Sequence, residues 1–190
     1  LLERIHYDKT AWCVASALAY MHGHSVHHTD VKCDNVVVGS SGDAVLVDYN
    51  LADHTSTGTS LRRCGSPSYC PPEVYANHAP WDVFAADAWS YSVLYFAILY
   101  KRLPFDIKDG TVFQEYTRFQ FQHGSTRALM HIFAKSSSML HRSDVTKMNV
   151  ALMDSVMQPD PGRRPSMVKV ERLAYYISHG MNEVPPEMMM

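Results

Sequence analysis

The chain has 190 residues, 46% of them hydrophobic and 19% charged, with a formal net charge of −2. That is enough apolar material for one substantial core, and the near-neutral charge gives no field for a polyanion, which argues against nucleic acid as a partner. The longest apolar run, residues 88–100, is shorter than the roughly 20 residues that a membrane span needs, so no membrane segment is expected.

The opening, LLERIHYDKTAW, starts on Leu1 and runs almost at once into a helical pattern, so a piece cut from a longer protein is expected. Over 10–22 the apolar residues Trp12, Ala15, Leu18, Ala19 and Met21 share one helical face, and Gly23 can end that helix. The runs VVV (36–38) and AVLV (44–47), joined by GSSGD (39–43), predict a hairpin. From 51 to 68 the Thr, Ser, Gly and Arg content lacks periodicity and predicts an exposed loop, followed by CPPEV as a double-proline turn. A helix over 86–100 should stop before Pro104. Further helices are predicted over 110–122, 127–139, 145–157 and 166–178, with QPDPGRRPS as the turn before the last and Ser166 near its start. The fold class is α+β, mostly helical with one short hairpin, and the tail over 180–190 is expected to be disordered. Cys13, Cys33, Cys64 and Cys70 form no C-x-x-C pair, and no signal peptide opens the chain, so the cysteines read as reduced thiols in a cytoplasmic setting.

Chemistry concentrates between 25 and 50, where His27, His28, Asp30, Lys32, Asp34, Asn35 and Asp48 stand beside the two valine runs. Asp30 and Asn35 lead into the hairpin and Asp48 leaves it. A hairpin brings its ends together, so these three side chains should converge. Two carboxylates and an amide oxygen are hard donors suited to Mg²⁺ with its waters and a phosphate, and Lys32 can neutralise a transferring phosphoryl group. His22, His24, His27 and His28 follow no zinc-ligand spacing and have no cysteine in register. His28 therefore reads as a packed core residue and the others as a solvated turn. A metal-dependent hydrolase built on these histidines is the more distant alternative.

The pattern H-x-D-x-K-x-x-N at His28, Asp30, Lys32 and Asn35 resembles the catalytic loop of protein kinases. Asp48-Tyr49-Asn50 stands where that family has D-F-G. GSPSYCPPE (65–73) is similar to the segment that closes the activation loop, DAWSYSVLYFAI (87–98) to the D-x-W-S-x-G helix, and DPGRRPS (160–166) to the motif before the last helix. All fall in family order across nearly the whole chain, and all belong to the C-terminal lobe. The Gly-rich loop, the strand lysine and its partner glutamate of the N-terminal lobe have no counterpart in the sequence. The resemblance thus implies a kinase C-terminal lobe over 1–179.

It also implies roles. Asp30 would orient the substrate hydroxyl, Lys32 would contact the γ-phosphate, and Asn35 and Asp48 would hold Mg²⁺. Val37 would floor the adenine of ATP, and Ser66 would reach Asp30 and Lys32 from the substrate-side loop. His28 and Tyr49 would stack, Glu73 would pair with Arg164, and Asp87 would accept bonds from the catalytic-loop backbone. Lys32 with Gly65-Ser66-Pro67 looks like the serine/threonine branch, so ATP, Mg²⁺ and a protein substrate are the implied partners, with no indication of oligomeric state.

Four departures stand out. Thr29 replaces the arginine that normally meets a loop phosphate, Asn50 replaces a glycine useful for its positive φ, and Pro71 and Ser92 add bulk where the family has Ala and Gly. Thr55, Ser56, Thr57, Thr59 and Ser60 are loop hydroxyls that can serve as phosphosites, and Asp34 can favour basic substrate residues. A pseudokinase scaffold that binds partners without phosphotransfer is the main alternative.

Overall fold

The computed structural model describes residues 2–61, 65–75, 80–104 and 145–181. The helices expected over 110–122 and 127–139 and the tail from 182 lie outside the described residues.

The long first helix, α1 (Leu2–Gly23), ends at the glycine that the sequence marks as its stop. Its residues Ala11, Val14, Ala15 and Leu18 are buried, the i, i+3/i+4, i+7 spacing of a face turned to a core. Three further helices complete that core: α3 (Val83–Tyr100) and, after the undescribed stretch, α4 (Lys147–Val156) and α5 (Met167–Ser178). The helix α3 is buried on nearly every side, from Asp87 through Phe96. It starts three residues earlier than the apolar pattern suggests because the Asp82 carboxylate caps it, accepting from the Phe84 and Ala85 amides at 2.9 Å. It stops at Tyr100, where Lys101 turns left-handed, before Pro104 is reached. The full helix is long and apolar enough to cross a membrane, but 72% of its 18-residue window is buried inside the fold, as befits a core helix. Burial, rather than shortness, makes that reading.

A buried polar knot ties three helices together. Tyr95 Oη and Asn149 Nδ2 both donate to Asp8 Oδ1, at 2.8 and 2.9 Å. Asn149 also closes the capping box of α4 with Thr146.

The strands are short and antiparallel. β2 (Val36–Val38) pairs with β3 (Ala44–Leu46) in the expected hairpin, register Val37 to Val45. Two other pairings correct the reading of 51–68 as plain loop. β1 (Val26–His27) pairs with β4 (Asp53–His54), and β5 (Thr59–Ser60) pairs with β6 (Trp81–Asp82). Each is only two residues long, too short for an alternating pattern to show in the sequence. CPPEV, expected as a turn, instead enters the one-turn helix α2 (Pro72–Tyr75), consistent with proline's fitness for a first helical position.

Candidate active site

The carboxylate of Asp87 faces outward from α3 onto the segment that follows β1. It accepts from the His28 amide at 2.7 Å and from the Thr29 amide at 2.8 Å, and meets His22 Nε2 at 3.1 Å. At 2% exposure this carboxylate needs such partners, since an unsatisfied buried charge is strongly unfavourable. The pairing fixes the backbone ahead of Asp30. Thr29 takes φ 72°, a left-handed conformation that a β-branched residue rarely adopts.

Asp30 follows at 9% exposure. Its Oδ2 accepts from Lys32 Nζ at 2.6 Å and from Asn35 Nδ2 at 3.2 Å, and its Oδ1 accepts from the Ser66 amide at 2.9 Å. Lys32 Nζ also donates to Ser66 Oγ at 3.0 Å, and Asn35 Nδ2 to the Asp30 carbonyl at 2.8 Å. Burial alone would raise the Asp30 carboxyl, but the hydrogen bonds from Lys32 and Ser66 outweigh it and hold the group below the ordinary carboxylate value. The bond to Asp30 in turn raises the Lys32 ammonium above its usual range. The pair is therefore carboxylate and ammonium at neutral pH.

The approach of Ser66 depends on Gly65. A Cβ there would lie 2.6 Å from the Thr29 carbonyl oxygen, and Gly65 has φ +96°. Only glycine fits this contact without a shift.

Asn35 is buried, and its carbonyl accepts from the Val47 amide at 2.9 Å, so the end of β3 closes beside it. This brings Asp48, the next residue, to the same end of the hairpin. Asp48 is exposed, has φ 64°, and accepts no hydrogen bond from another described residue. The left-handed residue of the 48–50 triplet is thus Asp48 and not Asn50, so asparagine in place of glycine at 50 meets no positive-φ demand here. With Asn35 Nδ2 committed to Asp30, its Oδ1 and the Asp48 carboxylate are two oxygen donors of the kind a Mg²⁺ ion accepts.

His28 is fully buried, with Nε2 3.2 Å from the Val47 carbonyl and its ring 5.1 Å from that of Tyr49. Tyr49 anchors itself by donating to the Leu46 carbonyl at 2.8 Å. Val37 and its cross-strand partner Val45 are 59% and 62% exposed, so the hairpin presents an open apolar face. The four histidines near α1 go to four different partners: Asp87, the Tyr20 carbonyl, Thr29 and the Val47 carbonyl. Among the described residues they form no cluster able to hold a metal ion.

Away from this cluster, Arg164 forks onto Glu73 with Nη1–Oε1 2.6 Å and Nη2–Oε2 2.8 Å. The guanidinium also donates to the carbonyls of Gln158, Ala85 and Pro159. Pro71 and Ser92 are both buried, and Ser92 Oγ turns back onto the Trp89 carbonyl at 2.7 Å, so its hydroxyl is accommodated within α3.

Sequence reasoning missed His27. Expected in a solvated turn, it is 7% exposed, and its Nδ1 lies 2.6 Å from Thr29 Oγ1. The available signal was its place in phase with a short β-strand, which two residues cannot advertise. Tyr69 was also unmarked. Its hydroxyl reaches the Cys33 amide at 3.4 Å, tying the 65–71 segment to the turn before Asn35.

The chain matches the protein kinase domain family over residues 2–176. It is 32% identical over 142 residues to CBL-interacting serine/threonine-protein kinase 7 of Arabidopsis thaliana, an alignment covering 72% of this chain and 32% of that protein. It is 31% identical over 155 residues to maternal embryonic leucine zipper kinase of Danio rerio, covering 80% of this chain and 20% of the relative. Serine/threonine-protein kinase GIN4 of Saccharomyces cerevisiae is 35% identical over 96 residues, covering half of this chain and 8% of the relative. The chain thus spans a third or less of each of these relatives. With its family match running almost end to end, this mostly helical chain belongs to the protein kinase domain family.

Proposed function

We propose that the chain is the C-terminal lobe of a serine/threonine protein kinase, and that the full-length protein carrying it transfers the γ-phosphoryl group of ATP to a protein hydroxyl. The observation that carries this reading is the Asp30–Lys32–Ser66 cluster: a buried, ionised carboxylate and an ammonium 2.6 Å apart, both tied to the 65–66 segment. Phosphoryl transfer asks little covalent chemistry of the protein and much positioning. Asp30 is suited to receive and orient the substrate hydroxyl. Its lowered pKa makes it a weak base, so orientation is its larger contribution. Lys32 offers positive charge where a transferring phosphoryl group gathers negative charge. Asn35 and Asp48 would hold Mg²⁺, which when bound neutralises phosphate charge. The exposed Val37 face would receive the adenine of ATP, and Ser66 would present the substrate side of the cleft.

The cation and the nucleotide need a second wall, and the sequence contains no Gly-rich loop or strand lysine to supply it. Activity is therefore assigned to the full-length protein. The test is incubation of that protein with Mg²⁺, ATP labelled at the γ-phosphate and a mixture of serine-, threonine- and tyrosine-containing peptides. Phosphoserine or phosphothreonine is the expected product. A folded full-length protein that labels nothing would replace this reading with a non-catalytic scaffold.

A further inference from the structure

Thr29 is a β-branched residue at φ 72°, placed immediately before Asp30. Such a conformation persists only where the surroundings over-determine it. Three contacts do so here. The Thr29 amide donates to Asp87 Oδ1 at 2.8 Å. Its carbonyl oxygen is overlain by Gly65, so closely that a Cβ would approach to 2.6 Å. Its hydroxyl meets His27 Nδ1 at 2.6 Å. The first two use only backbone atoms of Thr29 and would serve any residue. The third needs a hydroxyl at position 29 and a ring nitrogen at position 27.

The ring is well placed to act as an anchor. His27 is 7% exposed, and its backbone is paired with Asp53 of β4. Asp87 of α3, Asp53 of β4 and His22 of α1 face it, and His54 lies on the same strand as Asp53. Burial holds the imidazole below its ordinary pKa against the pull of the two carboxylates, so it is neutral at neutral pH. Thr29 in turn sets two neighbours. Its carbonyl fixes where Gly65 passes, and the next amide in that segment, Ser66, donates to Asp30 Oδ1.

We infer that His27 is a positioning residue for Asp30: its hydrogen bond to the Thr29 hydroxyl clasps the left-handed turn that aims Asp30 and seats Ser66 against it. The inference rests on the kinase reading for its effect on turnover, and on geometry alone for the clasp.

The test compares Thr29→Val, Thr29→Ser and His27→Phe in the full-length protein. One measurement is steady-state kinetics. The other is hydrogen exchange of the short peptides containing the Thr29 and Ser66 amides. Thr29→Val and His27→Phe are expected to lower kcat about tenfold or more with KM for Mg-ATP changed by less than about twofold. They should also speed exchange at both amides, and the double variant should lose no more than either single one. Thr29→Ser keeps the hydroxyl and is expected to retain kcat and slow exchange. The inference is overturned if Thr29→Val leaves kcat and exchange unchanged, if Thr29→Ser falls as far as Thr29→Val, or if the two single losses multiply. If the unsubstituted protein transfers no phosphate, the kinase reading fails and exchange alone decides. Faster exchange in Thr29→Val and His27→Phe but not in Thr29→Ser then upholds the clasp, and equal exchange in all of them removes it.

Discussion

Arg164 holds Glu73 in a two-bond fork across 91 residues of sequence, at 2.6 and 2.8 Å, with the arginine side chain wholly buried. Three backbone carbonyls complete its coordination, and its guanidinium lies 5.0 Å from the centre of the Trp89 ring. The arrangement joins α2 to the turn before α5 and to α3 at Ala85 and Trp89.

Removing one partner of a buried pair strands the other, at a cost of about 3–5 kcal/mol. Arg164→Ala is therefore expected to lower unfolding stability by that order. Arg164→Lys should recover only part of it, because an ammonium cannot form the fork or reach all three carbonyls. Urea denaturation of the three proteins checks this. Equal midpoints for Arg164→Ala and the unsubstituted protein would contradict it.

The long helices among the described residues and the hairpin were legible because their signals are long. The apolar stripe of α1, its terminal Gly23 and the valine runs around Gly39–Asp43 each involve several residues with one period. The grouping of the candidate site was legible for a different reason: Asp30, Lys32, Asn35 and Asp48 are polar residues crowded at the two ends of that hairpin, and its closure joins Val47 to Asn35. What stayed hidden depends on contacts between residues far apart in sequence. The strand β5 is defined by β6, some 20 residues on. Asp8 gives no sign that Tyr95 and Asn149 will bury it. The left-handed turn at Thr29 falls on a β-branched residue that disfavours it, and tertiary contacts decide it.

The two carboxylates of the site should separate by function. Asp48 is exposed and unbonded to any other described residue, whereas Asp30 is held by Lys32, Asn35 and Ser66. In the full-length protein, Asp48→Ala is expected to weaken Mg-dependent ATP binding by about tenfold or more. Asp30→Ala should leave nucleotide affinity within about threefold while stopping turnover. Isothermal titration with Mg²⁺ and ATP reads both. Equal losses of affinity would contradict the division of roles.

Acid should act on the fold through His27. Burial lowers its folded pKa beneath 6.5, so between that lowered value and 6.5 the unfolded chain binds more protons than the folded one. Its stabilising contribution is complete above 6.5 and is lost as pH falls through the folded value. Asp30 acts in the same sense in a separate window, below the ordinary value of 3.8. His27→Gln removes the first contribution. Urea midpoints measured from about pH 7.5 down to about pH 5 should fall more steeply for the unsubstituted protein than for His27→Gln. Parallel curves would show that His27 is not the titrating group.

The most direct test of the central claim is labelled-phosphate transfer by the full-length protein and its Asp30→Ala variant, side by side, at saturating Mg-ATP and peptide. The account predicts phosphoserine or phosphothreonine from the unsubstituted protein. It predicts a fall of at least about a hundredfold in Asp30→Ala, the lower range for loss of a positioned acid–base group, with folding intact by circular dichroism. Transfer that survives Asp30→Ala undiminished would contradict it, as would a folded unsubstituted protein that transfers no phosphate.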